Sequence, residues 1–142
     1  MKTRVSVFIL GLCLVLFSGF TPVKTSKLKV EISGMENKPA TNVWVSIFSQ
    51  KDFLKVPIQR KSTIVEGDKV FIEFDLPPGE YAVSTYHDIN KNDKLDRYFY
   101  GKPKEPYGFS NNIKPSFGPP KYKKCKFIIG DANKTISIKL LN

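Results

Sequence analysis

Oxygen-bearing side chains recur at every second position in one polar stretch of the chain. The groups are the side chains of Asp88, Asn90, Asn92 and Asp96 and the main-chain carbonyl of Lys94. Calcium takes about six to eight oxygen ligands at roughly 2.3–2.6 Å, and a turning backbone can bring alternate short side chains onto one ion. The spacing therefore predicts a calcium-binding loop, which the Glu105 carboxylate would close.

This stretch departs from an EF-hand loop in two ways. An EF-hand loop has Gly at its sixth position and a bidentate Glu at its twelfth, whereas Asp93 and Phe99 occupy those positions here. The residues before His87 also have the alternating pattern of a strand, not that of a helix. An Asx-rich turn is the alternative, because Asp and Asn side chains bond the backbone two residues ahead and tolerate left-handed geometry. The sequence leaves both interpretations open.

Aromatic and polar residues near this stretch are candidates for ligand contact. They are His87, Tyr98, Tyr100, Tyr107, Phe109 and Asn111. The rings can stack on sugars or line a cleft for another apolar ligand, or they can fix the loop to its own sheet. His87 is the only histidine of the chain, and zinc sites need several His or Cys ligands, so a zinc site is not favoured. We expect the Asn111 amide to bond the turn at residues 88–96.

The same loop contains groups that could act in hydrolysis. Asp88, Asp96 or Glu105 could work with His87 on polysaccharide or other envelope substrates. Ser110 lacks the local signature of a nucleophile, because GFSNN misses the second Gly of the nucleophile elbow. The favoured interpretation is a non-enzymatic binding or structural module with no catalytic residues, and an envelope or polysaccharide hydrolase is the alternative.

The N-terminus has the composition of a secretory signal peptide. Lys2 and Arg4 precede an apolar run, and small residues follow it. We expect a signal peptide at residues 1–21, a spacer at 22–26 and one domain at 27–142, in a secreted or periplasmic protein. The run is shorter than the roughly 20 residues that span a membrane, so no stable span is expected after cleavage. An uncleaved anchor is the alternative.

Charge and cysteine content narrow the classes of partner. The net charge of +10 falls to +8 once Lys2 and Arg4 are removed with the signal peptide, and Cys125 is then the only cysteine, so no internal disulfide can form. A basic surface attracts nucleic acid, acidic polysaccharide or anionic membrane. Nucleic-acid binders gather Lys and Arg on one face with interleaved aromatics, whereas most lysines here are scattered. We therefore expect no nucleic-acid partner, and an unknown protein or glycan at the cell envelope.

Alternating apolar and polar residues predict a chain of short strands. The clearest strands lie at residues 28–32, 43–48, 70–74 and 81–87. Residues 49–63 stay unassigned, because Pro57 argues against a central strand. Two final strands, at 125–129 and 135–140, are expected to form a hairpin through GDANK. About seven strands predict an all-β, antiparallel, immunoglobulin-like β-sandwich with one long ordered loop at residues 88–121.

Two segments resemble known sandwich families. NKPATNVWVSIF and GDKVFIEFDLPPGEYAVSTYHD resemble the first and later strands of prealbumin-like and carboxypeptidase-regulatory-like sandwiches. LPPGEYAVSTYHDINKNDKLD followed by GKPKEPYGFSNN resembles the secreted bacterial family known as domain of unknown function 2141. Many members of that family have Gly after the second Asn, where Asp93 stands here. The resemblance implies a secreted sandwich with no established activity.

Overall fold

The computed structural model describes residues 23–35 and 38–142, and the signal peptide expected at residues 1–21 lies outside the described residues. The described residues form eight strands, a 3₁₀ turn at Ser110–Asn112 and one short helix, α1, at Tyr122–Cys125. The strands are β1 (Ser26–Ser33), β2 (Asn42–Phe48), β3 (Gln59–Ile64), β4 (Lys69–Leu76), β5 (Gly79–Asp88), β6 (Tyr107–Phe109), β7 (Phe127–Ile129) and β8 (Lys134–Lys139).

The strands form two sheets. The first sheet has the order β4-β1-β8, and the second has the order β3-β2-β5, with β6 and β7 sharing the far edge of β5. Strand β4 alternates strictly between exposed and buried residues, which is the pattern of a strand with one face on a core. The all-β, sandwich-like prediction is confirmed. One pair departs from a purely antiparallel arrangement, because β8 runs parallel to β1.

The predicted hairpin between the last two strands is wrong. Strand β7 pairs with β5 in the second sheet, whereas β8 pairs with β1 in the first, so the GDANK connection crosses from one sheet to the other. Alternation shows which face of a strand is buried but not which strand lies beside it. The side chains of Phe127, Ile129 and Ile138 all enter the same core, from opposite sheets.

The unassigned residues 49–63 contain a turn followed by an edge strand. A hydrogen-bonded turn at residues 52–56 precedes β3, and Pro57 lies outside the strand. Strand β3 pairs only with β2, and most of its residues are exposed or half-buried. An exposed edge position explains why its sequence lacks the apolar alternation that marks the other strands.

Apolar residues are buried on both sides of the second sheet. Between the sheets, the main core includes Val30, Val45, Phe74 and Val83. On the opposite side, which we call the outer face, a second cluster covers β5. It consists of Ala82, Phe109, Tyr122 and Cys125, with Phe53, Leu54, Tyr107 and Ile113 packed against it. We call residues 89–126 the covering segment. They form a third layer over the second sheet, except for β6, which extends that sheet by pairing with β5.

Ser110 fixes the covering segment to the sheet. Its hydroxyl is fully buried, accepts the Val83 N–H at 2.9 Å and donates to the Cys125 carbonyl at 2.5 Å. One side chain thus joins β5 to the last turn of α1. Burial raises the pKa of the Cys125 thiol to about 11, so this cysteine stays protonated at neutral pH and packs as a small apolar residue.

Asn112 fixes the same segment to the first sheet. Its Oδ1 accepts the Lys139 N–H at 2.8 Å and its Nδ2 donates to the Ser137 carbonyl at 3.1 Å. The amide therefore bonds the free edge of β8 as a neighbouring strand would. Among the described residues, no helix is long and apolar enough to cross a membrane.

Replacing Gly108 by Ala should destabilise the fold, because an added Cβ would lie 2.6 Å from Ile138 Cγ2 in the core. Overpacking of this kind costs about 1–3 kcal/mol. Urea unfolding should show a lower midpoint for Gly108→Ala with an unchanged slope. Gly130→Ala is the matched control, because nothing lies within 4 Å of its added Cβ. Equal midpoints for the two variants would contradict the close approach of β6 to β8.

Candidate functional site

The turn at residues 88–96, which we call the polar turn, begins at a buried carboxylate. Asp88 ends β5 and is inaccessible to solvent. Its Oδ1 accepts the Asn92 N–H at 3.1 Å and its Oδ2 accepts the Asp93 N–H at 2.8 Å. Lys91 and Asp93 adopt left-handed φ of 62° and 61°. The chain turns back here because a buried carboxylate needs hydrogen-bond donors, and the backbone N–H groups of the turn supply them.

Three of the alternating side chains meet at one atom. Asn90 and Asn92 donate their Nδ2 hydrogens to Asp96 Oδ2, at 2.6 Å and 2.9 Å. The two amide oxygens accept backbone N–H groups two residues ahead, those of Asn92 and Lys94. The polar turn therefore shows the Asx bonds of the metal-free alternative, and its two amides converge on Asp96 through nitrogen, not through oxygen.

Glu105 closes the polar turn from outside it. Its side chain is nearly fully buried, and its two carboxylate oxygens accept the N–H groups of Ile89 at 3.0 Å and Asp96 at 3.2 Å. These two residues stand at opposite ends of the turn. One carboxylate thus holds both ends in place.

The polar turn offers a mixed set of oxygen donors. Within residues 23–35 and 38–142, no three His, Cys, Asp or Glu side chains are grouped as a metal site of those residue types alone. A calcium ligand set here would combine Asp88 and Asp96 with the amides of Asn90 and Asn92, which suits a cation that accepts carboxylate and amide oxygens together. The amides face Asp96 with nitrogen and the backbone with oxygen, so binding an ion through these amides would require both sets of hydrogen bonds to be exchanged.

Arg60 connects the polar turn to the outer face through hydrogen bonds. No pattern in the sequence marked this residue. Its Nη2 donates to the Tyr86 hydroxyl at 2.7 Å and to the Asp93 carbonyl at 2.9 Å. Its guanidinium lies 3.9 Å from the centre of the Trp44 ring. Burial raises the pKa of Tyr86, although the Arg60 charge opposes that effect. Arg60 lies on β3, within the segment that carried no sequence signal.

An open cleft of about 950 Å³, the outer cleft, lies on the outer face beyond the polar turn. Its floor is formed by β5 and β6, one wall by residues 95–103 and the other by residues 115–119. The floor includes Ser84, Tyr86, Tyr107 and Phe109, and the walls include Arg97, Tyr100, Lys102 and Phe117. Of the described residues that line it, none is Asp or Glu. Arg97, Lys102 and Phe117 had no local motif that marked them.

A second depression on the surface gives no basis for a ligand site. It is smaller, about 420 Å³, and flatter, and lies beside Met35, Val65 and Gly67. It adjoins residues 36–37, which the structure does not describe. We therefore consider the outer cleft alone as a ligand site.

The residues expected to contact a ligand do not all reach one place. Tyr100, Tyr107 and Phe109 line the outer cleft. Tyr98 does not line it; its ring stacks on that of Tyr100 with centres 5.3 Å apart. Asn111 does not contact the polar turn.

The expectation for Asn111 was therefore wrong. Its Nδ2 donates to the carbonyls of Lys124 and Lys126, each at 3.0 Å. Its left-handed φ of 61° turns the side chain toward the end of α1, away from the polar turn. The residue supports the covering segment at its other end.

His87 faces the interior, so its expected role in ligand contact was also wrong. The side chain is fully buried on the same face of β5 as Val83, and its Nε2 shares a 2.8 Å hydrogen bond with Thr41 Oγ1. Because successive strand residues point to opposite faces, His87 cannot share an open site with the residues of the outer cleft. Ser110 is equally inaccessible, since its hydroxyl is bonded to backbone on both sides.

The fold and the site define an all-β, sandwich-like domain with a covering segment and an open cleft on one outer face. Residues 30–137 match the family described as "Uncharacterized protein conserved in bacteria (DUF2141)", and the chain belongs to that family. The match extends from β1 into β8 and includes the whole covering segment. No match was found among curated proteins or solved structures.

The burial of His87 has a consequence for pH dependence. Burial lowers the pKa of His87 from its ordinary value of 6.5, as does the charge of Lys38, and the Pro39 carbonyl and Asp88 only partly oppose this. No described residue forms a hydrogen bond of standard geometry with His87 Nδ1, so the contact of this ring with the Pro39 carbonyl is weak. The unfolded chain therefore binds a proton at a higher pH than the folded protein does.

The free energy of unfolding should consequently be full at pH values above the ordinary histidine pKa of 6.5 and should fall as the pH drops below it, with a slope of at most about 1.4 kcal/mol per pH unit. Urea unfolding at a series of pH values measures this slope. Because the chain has one histidine, His87→Gln should flatten the dependence in that window. An equal slope in wild type and variant would assign it to other groups.

Proposed function

We propose that this chain is a secreted, non-enzymatic module that binds a glycan in the outer cleft. The observation that carries the proposal is the cleft itself, an open groove of about 950 Å³ with Tyr107 and Phe109 on its floor and Tyr100 on its wall. Sugar rings present C–H faces that pack on aromatic rings and hydroxyls that take hydrogen bonds. Ser84 and Tyr86, beside those rings, supply hydroxyl partners.

The rigidity of the floor favours a binding role. Strand β6 is held to β5 by antiparallel pairing, and Ser110, directly after it, is bonded to Val83 and Cys125. A cleft that needs little ordering before it binds loses less conformational entropy on ligand capture. The cleft is also of ordinary volume for a small-ligand site.

Secretion is the second part of the proposal. It is supported by the basic start, the apolar run and the small residues that end it within residues 1–21. A secreted or periplasmic location would bring the cleft into contact with the envelope glycans that we propose as its ligands.

We further propose that the polar turn binds calcium. The support is the convergence of Asn90, Asn92 and Asp96, the left-handed φ of Asp93 at the sixth position, and the closure by Glu105. The wall of the outer cleft, residues 95–103, overlaps the end of the polar turn, so an ion that orders the turn would also order the wall. Extracellular calcium modules have dissociation constants of about 0.1–1 mM, which suits a secreted protein.

A non-enzymatic role agrees with how the acid and base groups are used. Both oxygens of Asp88 and both oxygens of Glu105 accept backbone N–H groups, and His87 is buried on the other face of β5. A general acid or base must reach the atom whose proton it moves. None of the three groups lines the outer cleft, where a substrate would lie.

Calcium should raise the thermal unfolding midpoint by about 5–10 °C relative to chelator, because an ion that binds only the folded state stabilises it by mass action. Asp96→Ala should remove the shift, since it deletes the atom where Asn90 and Asn92 meet. Asp68→Ala, an exposed acid in another turn, is the control and should keep it. Differential scanning calorimetry gives the midpoints. An unchanged midpoint in both wild type and Asp96→Ala would exclude calcium.

Affinity electrophoresis through gels that contain neutral or acidic envelope polysaccharides tests the cleft. We expect at least one polysaccharide to retard the wild type, and Tyr107→Ala to weaken that binding about tenfold, the loss of one buried aromatic contact. Phe71→Ala is the control, because Phe71 is a half-exposed ring on the first sheet. No retardation by any polysaccharide would count against the proposal, and release of reducing ends would favour the hydrolase instead.

A further inference from the structure

Two phenylalanines of the covering segment are completely exposed. Phe99 and Phe117 have side chains that are 101% and 99% accessible, whereas Phe109 of the same segment is buried. Phe99 lies at the tip of a turn whose next residues, Tyr100 and Gly101, line one wall of the outer cleft. Phe117 lies on the opposite wall. Phe117 therefore lies on one wall of the cleft, and Phe99 directly precedes residues of the other wall.

The turn that carries Phe99 is ordered by its own contacts. The Tyr98 N–H donates to the Lys102 carbonyl and the Gly101 N–H to the Tyr98 carbonyl, each at 2.8 Å. The rings of Tyr98 and Tyr100 stack in parallel, and Phe99 meets Tyr100 edge-on at 5.1 Å. The fold thus holds Phe99 out in water, where an apolar ring gains nothing from the protein.

Positive charge is concentrated in the same segment. Residues 91–126 contain ten Lys and Arg against three Asp and Glu, a net charge of +7. The rest of residues 23–142 contains eleven against ten, a net charge of +1. Two of the three acids, Asp96 and Glu105, accept hydrogen bonds within the polar turn and its closure. The lysines are scattered singly and in short runs, as the sequence indicated, but the excess of positive over negative charge belongs mostly to this segment.

Exposed aromatic tips on a cationic surface fit one kind of partner best. Aromatic side chains insert at the boundary between lipid headgroups and acyl chains, and lysines beside them pair with anionic headgroups. An acidic polysaccharide would also satisfy the charge, but sugar rings pack on ring faces that line a groove, whereas rings that project fully into water suit insertion into a lipid layer. The charge would also attract the domain to the surface before the rings insert.

We propose that Phe99 and Phe117 form a two-point anchor by which the covering segment docks reversibly on an anionic lipid surface. The rings enter the headgroup region from the two rims of the outer cleft, and the lysines around them bind the headgroups. This inference rests on exposure and charge and requires no glycan in the cleft, although Phe117 also lines that cleft.

Co-sedimentation of the exported, purified protein with lipid vesicles tests the anchor. The protein should bind vesicles that contain about one-quarter phosphatidylglycerol at least tenfold more tightly than vesicles of phosphatidylcholine alone, and added salt should weaken that binding. Phe99→Ser with Phe117→Ser should reduce binding to the anionic vesicles about tenfold or more. The control Phe71→Ser, on the first sheet, should leave binding to the anionic vesicles unchanged.

Two further variants separate charge from insertion. Lys104→Gln with Lys114→Gln should weaken binding to the anionic vesicles, whereas the same charge change at Lys29 and Lys134 of the first sheet should not. The emission of Phe99→Trp should shift to the blue when anionic vesicles are added, and that of Phe71→Trp should stay unchanged.

Two results would overturn the anchor. Salt-sensitive vesicle binding that both phenylalanine changes leave intact would show a purely electrostatic attraction. Loss of polysaccharide binding, with vesicle binding unchanged, would assign the rings to the glycan site. Because both rings are fully exposed, their replacement should not alter the unfolding midpoint. An unchanged midpoint then excludes misfolding as the cause of a loss of vesicle binding.

Discussion

The burial of β5 on both of its faces is the constraint on which the rest of the structure depends. Val83 faces the core between the sheets, and Ala82, its neighbour, lies in the cluster on the outer face. The first sheet can cover only one of these faces. A chain of this length therefore needs a further layer, and residues 89–126 provide it by placing β6 at the edge of β5 and α1 over its start.

Buried polar side chains hold that layer in place, and the described residues, whose only cysteine is Cys125, contain no disulfide that could do so. Asp88, Glu105 and Ser110 are each buried, and each accepts backbone N–H groups of another part of the covering segment or of β5. A buried polar group without a partner costs about 1–3 kcal/mol. Displacing the segment would leave several such groups unpaired at once, so it behaves as a wall and not as a loose lid.

The sequence predicted what depends on neighbouring residues. Alternation identified β1, β4 and β5, and the spacing from Asp88 to Asp96 located the polar turn, because both patterns are local. It did not predict that β7 and β8 lie in different sheets, since alternation carries no information about partners. Arg60 was missed for the same reason: its contacts with Tyr86 and Asp93 join residues 26 and 33 positions apart. His87 showed the correct strand alternation, but its adjacency to Asp88 suggested a shared site that alternation itself excludes.

The covering segment does more than folding requires. Covering β5 accounts for Phe109 and Tyr122, which are buried against it. It does not account for Phe99 and Phe117, because neither ring removes apolar area from water within the chain. Their turns could carry polar residues with no loss of packing, and the basic residues around them have few acids to neutralise them. Since the fold gains so little from these rings, we infer that they serve a contact outside the chain, and the proposed lipid anchor would supply one.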